Sequence, residues 1–151
     1  MEVKIKRLMP EAITPGKATP GSAAYDVYCP VDTPLRPGRQ IIPLGLAIEL
    51  PDGYEAKIEP RSGYSSKGFA ATLGDTEYRI DADVIQGKID SDYRDSIGVI
   101  VHSREGNIYT IKAGQRIAQM TIYKVETADF LEVRELAKSE RNKGGFGSTG
   151  V

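Results

Sequence analysis

The sequence predicts an all-β single domain, built as a β-barrel or jelly roll with at most one short helix. Three observations carry that expectation. Nearly every segment reads as a short strand of apolar and polar residues closed by a turn, the pattern of many-stranded closed β architectures. Prolines at positions 10, 15, 20, 30, 34 and 37 interrupt the first forty residues too often for a long helix. The chain has 151 residues, enough for one domain with one substantial core.

The elements follow in order. Val3-Lys-Ile-Lys-Arg-Leu8 alternates with the period of a half-buried strand. Ala23-Ala-Tyr-Asp26-Val27 reads as a strand with one carboxylate among apolar neighbours. Further strands are expected over Arg39 to Leu44, Leu46 to Leu50, Tyr54 to Glu59, Tyr78 to Ile80, Ile97 to Val101, Asn107 to Ile111, Arg116 to Tyr123 and Phe130 to Val133. Pro51-Asp-Gly53 and Arg104-Glu-Gly-Asn107 have the composition of hairpin turns. Ser62 to Lys67 is the one plausible helical turn. Beyond residue 137 the character changes. Residues 1–137 read as the β domain, and 138–151 as a flexible glycine-rich arm with almost nothing to bury.

Composition narrows the chemistry. Hydrophobic residues make up 40% and charged residues 27%, ordinary for a soluble globular protein. Twenty basic residues against twenty-one acidic ones give no electrostatic reason to expect nucleic acid or a membrane surface. The start shows no signal peptide and no apolar run long enough to span a bilayer, so a cytoplasmic location is expected; a nucleus or an infected host cell would look the same. One cysteine, Cys29, excludes an internal disulfide, and one histidine, His102, sits in a strand-like run. A general base is therefore expected to be Asp or Glu.

Four segments and the arm carry candidate chemistry. In Pro60-Arg-Ser-Gly-Tyr-Ser-Ser-Lys67-Gly68 a strand stops at a Ser- and Gly-rich turn, with Arg61 supplying a forked donor for an anion. Gly87-Lys-Ile-Asp-Ser-Asp-Tyr-Arg94 sets Asp90 and Asp92 beside Tyr93. That arrangement suits either a carboxylate cage for Mg²⁺ or a single base next to a flat aromatic platform. In Gly114-Gln-Arg-Ile-Ala-Gln119, an Arg116 buried in a strand needs a carboxylate, and Asp26 is the candidate. The arm offers Arg141, Lys143 and Phe146 among open backbone N–H groups and hydroxyls, a composition able to close over a base carrying phosphates.

Taken in order, Ala-Ala-Tyr-Asp-Val, Pro-Arg-Ser-Gly, Gly-Lys-Ile-Asp-Ser-Asp-Tyr-Arg, Gly-Gln-Arg-Ile-Ala-Gln and Arg-Asn-Lys-Gly-Gly-Phe-Gly-Ser-Thr-Gly resemble the five motifs of the trimeric dUTPase family. The resemblance covers residues 23 to 150 and implies a jelly-roll-like β-barrel assembling as a homotrimer, with sites at subunit interfaces. It implies hydrolysis of dUTP to dUMP and pyrophosphate, which limits uracil in DNA and supplies dUMP for dTMP synthesis. Asp90 would be the base that activates the attacking water. Mg²⁺ would be held through the triphosphate and waters, with no direct protein ligand, and Asp26 would support the hydrated ion and pair with Arg116. Arg61, Ser62, Gly63, Gln119 and Arg141 would bind phosphates. Gly87, Lys88, Tyr93, Gly98, Phe146 and Gly147 would form the uracil and deoxyribose side, with Phe146 stacking on the base as the arm closes.

The sequence departs from the family pattern in places. Ala24, Asp95 and Asn142 stand where the family commonly has glycine, and Gln115 where it has aspartate. The link between the second and third motifs is longer by about ten residues, the size of a hairpin extension. Gly74-Asp75 is its expected turn, between Ala70 to Leu73 and Tyr78 to Ile80. The expected readings of this 70–83 insert are a surface for a protein partner, an element that tunes access to the site, or an inert extension. Three rival readings are a dCTP deaminase of the same fold family, a nucleotide-binding regulator without catalysis, and a two-metal phosphohydrolase on Asp81, Asp83, Asp90 and Asp92.

Overall fold

A computed structural model describes residues 1–140. The strands are β1 (Lys4–Arg7), β2 (Tyr25–Tyr28), β3 (Thr33–Leu35), β4 (Gly38–Glu49), β5 (Tyr54–Glu59), β6 (Phe69–Leu73), β7 (Thr76–Ile80), β8 (Ala82–Ile85), β9 (Gly87–Ile89), β10 (Ile97–Ser103), β11 (Tyr109–Ile111) and β12 (Arg116–Lys124), with one helix, α1 (Ser62–Lys67). They form three four-stranded antiparallel sheets of order β1-β4-β10-β8, β3-β11-β6-β7 and β2-β12-β5-β9. This is the all-β, jelly-roll-like architecture expected, with a single short helix.

The three sheets close on one core. Alternation along β10 turns Ile97, Val99 and Val101 inward, where they meet Ile42 of β4, Phe69 of β6 and Ile58 of β5. Val27, Leu35, Ile111 and Ile117, all fully buried, complete that interior. The two segments expected over Arg39 to Leu44 and Leu46 to Leu50 are one twelve-residue strand, β4. Gly45, at φ +66, lets the strand bend where its partner changes from β10 to β1.

Two expected hairpins are corrected. The turns at Pro51–Gly53 and Arg104–Asn107 exist, but β4 and β5 lie in different sheets, as do β10 and β11. Turn chemistry reports a reversal of the chain and not the pairing of the strands on either side. Among the described residues, β6 and β7 alone pair as consecutive strands, from Phe69↔Ile80 to Leu73↔Thr76 around Gly74-Asp75. The insert is thus a real hairpin. Its outer strand, β7, is a sheet edge.

Phe130 to Val133 is not a strand. Among the described residues nothing pairs with it, and Phe130 and Leu131 are 99% and 84% exposed. Missed by the sequence reading were β3, which carries Pro34 at a sheet edge where a missing N–H costs nothing, and the short β8 and β9.

Candidate active site

The first cleft, about 520 Å³, opens where β2, β5 and β12 end beside α1. Registers place Gln119 of β12 opposite Asp26 of β2 on one side and Glu59 of β5 on the other, so three polar side chains share one row across the sheet. After Glu59 the chain turns at Pro60 into α1, with Arg61 as the residue before its first turn. Asp26, Arg61, Ser62, Gly63 and Gln119 all line this cleft.

Asp26 is nearly buried, and both of its oxygens are used. Arg61 Nε donates to Oδ1 at 3.0 Å and Arg116 Nη1 to Oδ2 at 3.3 Å. The Arg116 side chain is about half exposed, which corrects the expectation of a buried arginine. As the first residue of β12 it lies at the rim, and its aliphatic stem need not enter the core.

Tyr64, the buried residue of α1, ties the cleft floor together. Its hydroxyl donates to the Arg116 carbonyl at 2.8 Å and accepts from Gln115 Nε2 at 2.9 Å. The same amide donates to the Ala70 carbonyl at 2.6 Å. Burial pushes the Tyr64 phenol up, partly opposed by the Gln115 hydrogen bond and by Arg61 and Arg79.

A second cleft of about 210 Å³ contains the other group of candidates: Gly87, Lys88, Asp90, Tyr93 and Gly98, with Ile41 and Ile58 among its apolar walls. β9 runs antiparallel to β5, with Ile58 opposite Gly87, and delivers Asp90 just past its end. Asp90 and Tyr93 are both exposed. A turn from the Asp90 carbonyl to the Tyr93 N–H (3.2 Å) and the bond from Tyr93 Oη to the Ser96 carbonyl (2.9 Å) hold this loop. Asp95 accepts the Ser96 N–H at 2.6 Å, so this departure from glycine serves the turn. Gly98 sits at a bulge in β10; a Cβ there would lie 2.5 Å from Ile41 Cγ2 and 3.0 Å from the Ile42 carbonyl oxygen. No side chain fits without displacing β4.

The linings of the two clefts share no residue. Among the described residues, candidate phosphate groups and candidate nucleoside groups are therefore not brought together within one chain. Lys88 holds its ammonium 2.5 Å from Glu55 Oε2, a nearly buried carboxylate that sequence reasoning missed. Arg141, Phe146 and Gly147 lie outside the described residues.

The dUTPase family model matches residues 10–150. A deoxyuridine 5'-triphosphate nucleotidohydrolase from Nautilia profundicola is 40% identical, covering 99% of both chains. The chain belongs to the dUTPase family.

Among solved structures, the dUTPase of Staphylococcus bacteriophage 80alpha with dUPNHPP matches with a TM-score of 0.81 and 27% identity, covering 99% of both chains. A variant of the phage phi11 dUTPase of S. aureus, described with a structural Mg(II) ion, shares the fold at a TM-score of 0.75 and 21% identity over 89% of this chain and 98% of that one. The dUTPase family assignment sets aside the deaminase reading. The two-metal reading fails on geometry: Asp81 and Asp83 both bind Arg104, at 2.8 and 2.7 Å. Among the described residues no three His, Cys, Asp or Glu side chains gather as a metal cage. In this dUTPase-family chain Gln115 replaces the usual aspartate, and its amide gives the Ala70 carbonyl a donor that a carboxylate lacks.

Proposed function

We propose that the chain hydrolyses dUTP to dUMP and pyrophosphate at sites completed between the subunits of a homotrimer. The observation that carries this reading is the separation of the two clefts. One has the donors for a phosphate chain and the other has the base and the sugar platform, so a single chain presents two half-sites. The apolar stretch before the arm supports assembly: Phe130, Leu131 and Leu136 are 99%, 84% and 87% exposed, a run that water does not favour and a second subunit would cover.

In the chemistry that follows, Asp90 takes a proton from a water beside it. The water oxygen bonds to the α-phosphorus as the bond to the bridging oxygen breaks, and pyrophosphate leaves. Position and charge neutralisation supply most of such a rate enhancement. Arg61, Ser62, Gly63 and Gln119 hold the phosphates, with Asp26 keeping Arg61 and Arg116 in place. Tyr93 packs on the deoxyribose, where a 2′-hydroxyl has no room. The strands carrying Gly87 and Gly98 present backbone groups to uracil; cytosine in its place would leave buried polar groups unpaired. Arg141, Phe146 and Gly147 belong to the arm that closes over the nucleotide in this reading.

Both Asp26 oxygens already accept from guanidinium groups, and no carboxylate cage exists among the described residues, so the residues fit Mg²⁺ carried by the triphosphate and not one held by protein ligands. Bound with the nucleotide, the ion would neutralise phosphate charge.

The test is pyrophosphate release from dUTP, dCTP, dTTP and UTP by wild type, Asp90→Asn, Arg61→Ala and a refolded mixture of the two variants. Turnover of dUTP alone, loss in each variant and recovery in the mixture toward about a quarter of wild type, as random pairing of subunits allows, are expected. Two inactive variants with no recovery in a verified mixed oligomer would place each site within one chain. Binding of dUTP by wild type without pyrophosphate release would favour the regulator reading.

A further inference from the structure

We infer that Arg79, on the inserted hairpin, is an additional residue that grips the phosphate chain of the substrate. The inference rests on the reading of the first cleft as the phosphate site. Arg79 lines that cleft together with Arg61, Ser62, Gly63 and Gln119. Nothing in the motifs points to it, because it belongs to the segment by which this chain exceeds the usual motif spacing.

The hairpin is seated so that Arg79 must face α1. Gly68, which ends the helix at φ +90, allows the backbone of β7 to pass close by: a Cβ on Gly68 would lie 2.8 Å from the Ile80 carbonyl oxygen. With Ile80 pinned there, Arg79 Nη1 reaches the Gly68 carbonyl at 3.3 Å, a long hydrogen bond. Its guanidinium carbon lies 5.5 Å from the centroid of the Tyr64 ring, and that of Arg61 lies 5.7 Å from the same centroid. One buried aromatic ring thus orients two guanidinium groups into one cleft.

The two arginines differ in their charge balance. Arg61 pairs with Asp26, a carboxylate it shares with Arg116. Among the described residues, no carboxylate lies within 4.0 Å of the Arg79 guanidinium. Glu77 shares its strand face by alternation but forms no such pair, and Glu59, the other acid of the cleft, accepts from Thr121 Oγ1 at 3.0 Å. Arg79 is exposed, keeps most of its donors unspent and sits where phosphate oxygens would lie. A planar fork of donors with no carboxylate at pairing distance is the arrangement that recognises phosphate. The nucleoside cleft contains no part of the hairpin, so Arg79 reads phosphates and not the base.

The experiment measures inhibition of dUTP turnover by inorganic tripolyphosphate, by dUPNHPP and by deoxyuridine, for wild type, Arg79→Ala, Arg79→Lys and Arg61→Ala. Thermal unfolding of each variant runs alongside. Arg79→Ala is expected to weaken tripolyphosphate and dUPNHPP roughly tenfold, as loss of one charge-assisted contact does, and to leave deoxyuridine unchanged. Arg79→Lys is expected to recover part of that loss, because the charge is kept and the fork is not. If Arg79→Ala weakens deoxyuridine in step with the phosphates, or moves none of the three, Arg79 only closes the end of α1 and the inference is wrong. If Arg61→Ala also leaves tripolyphosphate binding untouched, it is the phosphate-cleft reading itself that falls.

Discussion

Asp26 and Arg61 are joined by a 3.0 Å hydrogen bond across the floor of the first cleft, although thirty-five positions separate them in sequence. The carboxylate comes from β2 and the guanidinium from the corner that leads into α1. The bond therefore ties a sheet to the start of α1. Arg116 occupies the second oxygen, so one nearly buried charge restrains two partly exposed cations.

Replacement Asp26→Ala removes that restraint while leaving both cations. Because the arginines keep access to water, a stability loss of only about 1–2 kcal/mol is expected, less than for a fully buried pair. The effect on dUTP turnover is expected to be larger, because Arg61 loses its orientation. Denaturant melts and pyrophosphate release on the same samples separate the two effects; a variant with wild-type turnover would show that Asp26 positions nothing.

Gln115→Glu tests the departure at the fourth motif. The carboxylate would face the Ala70 carbonyl oxygen at the 2.6 Å now bridged by an amide proton, and Tyr64 would lose its donor. A loss of about 2 kcal/mol is expected from a buried acceptor left unsatisfied. Gln115→Ala removes the donor without adding charge and should cost less. Equal melting temperatures for wild type and Gln115→Glu would contradict this account.

Gly98→Ala places a methyl group against Ile41 and the Ile42 carbonyl. Overpacking of this kind costs about 1–3 kcal/mol and would push β4 from β10 at the mouth of the second cleft. A higher KM for dUTP with nearly unchanged inhibition by tripolyphosphate is expected. Steady-state kinetics with both ligands decide it.

Glu55 and Lys88 make stability depend on pH in acid. The Lys88 hydrogen bond holds the Glu55 carboxyl below its ordinary range, against the opposing effect of burial. A depressed folded value means that the stabilisation is present above the unfolded value, about 4.3, and is lost as pH falls through the folded one. Lys88, raised by Glu55, keeps its charge across that range. Lys88→Met should therefore flatten the fall in melting temperature between neutral pH and pH 3; parallel curves for the two proteins would refute the linkage.

Much of the fold was legible in order and composition. Strand periodicity located β5, β10 and β12, and Gly74-Asp75 marked the one hairpin between consecutive strands among the described residues, because alternation and turn chemistry act over a few residues. β1 forms where alternation placed it, but all four of its residues are exposed and not half-buried. Motif order indicated the family. The pairing of strands was not legible: the turns at Pro51–Gly53 and Arg104–Asn107 lead into different sheets, since partner choice depends on burial against distant segments. Apolar composition at Phe130 to Val133 suggested a strand, yet a strand needs a neighbour to satisfy its backbone, and the described residues provide none there.

By itself the sequence determined the element types, the family and the residues able to do acid–base and phosphate chemistry, because those follow from local pattern and side-chain identity. Only the tertiary structure decided that those residues fall into two clefts, that Asp26 serves two arginines, that Gln115 holds Tyr64 and that Arg79 lines the first cleft. Each of these is a contact between segments far apart in the chain, set by sheet register and by how closely backbones pass at Gly68 and Gly98. No local rule encodes such distances.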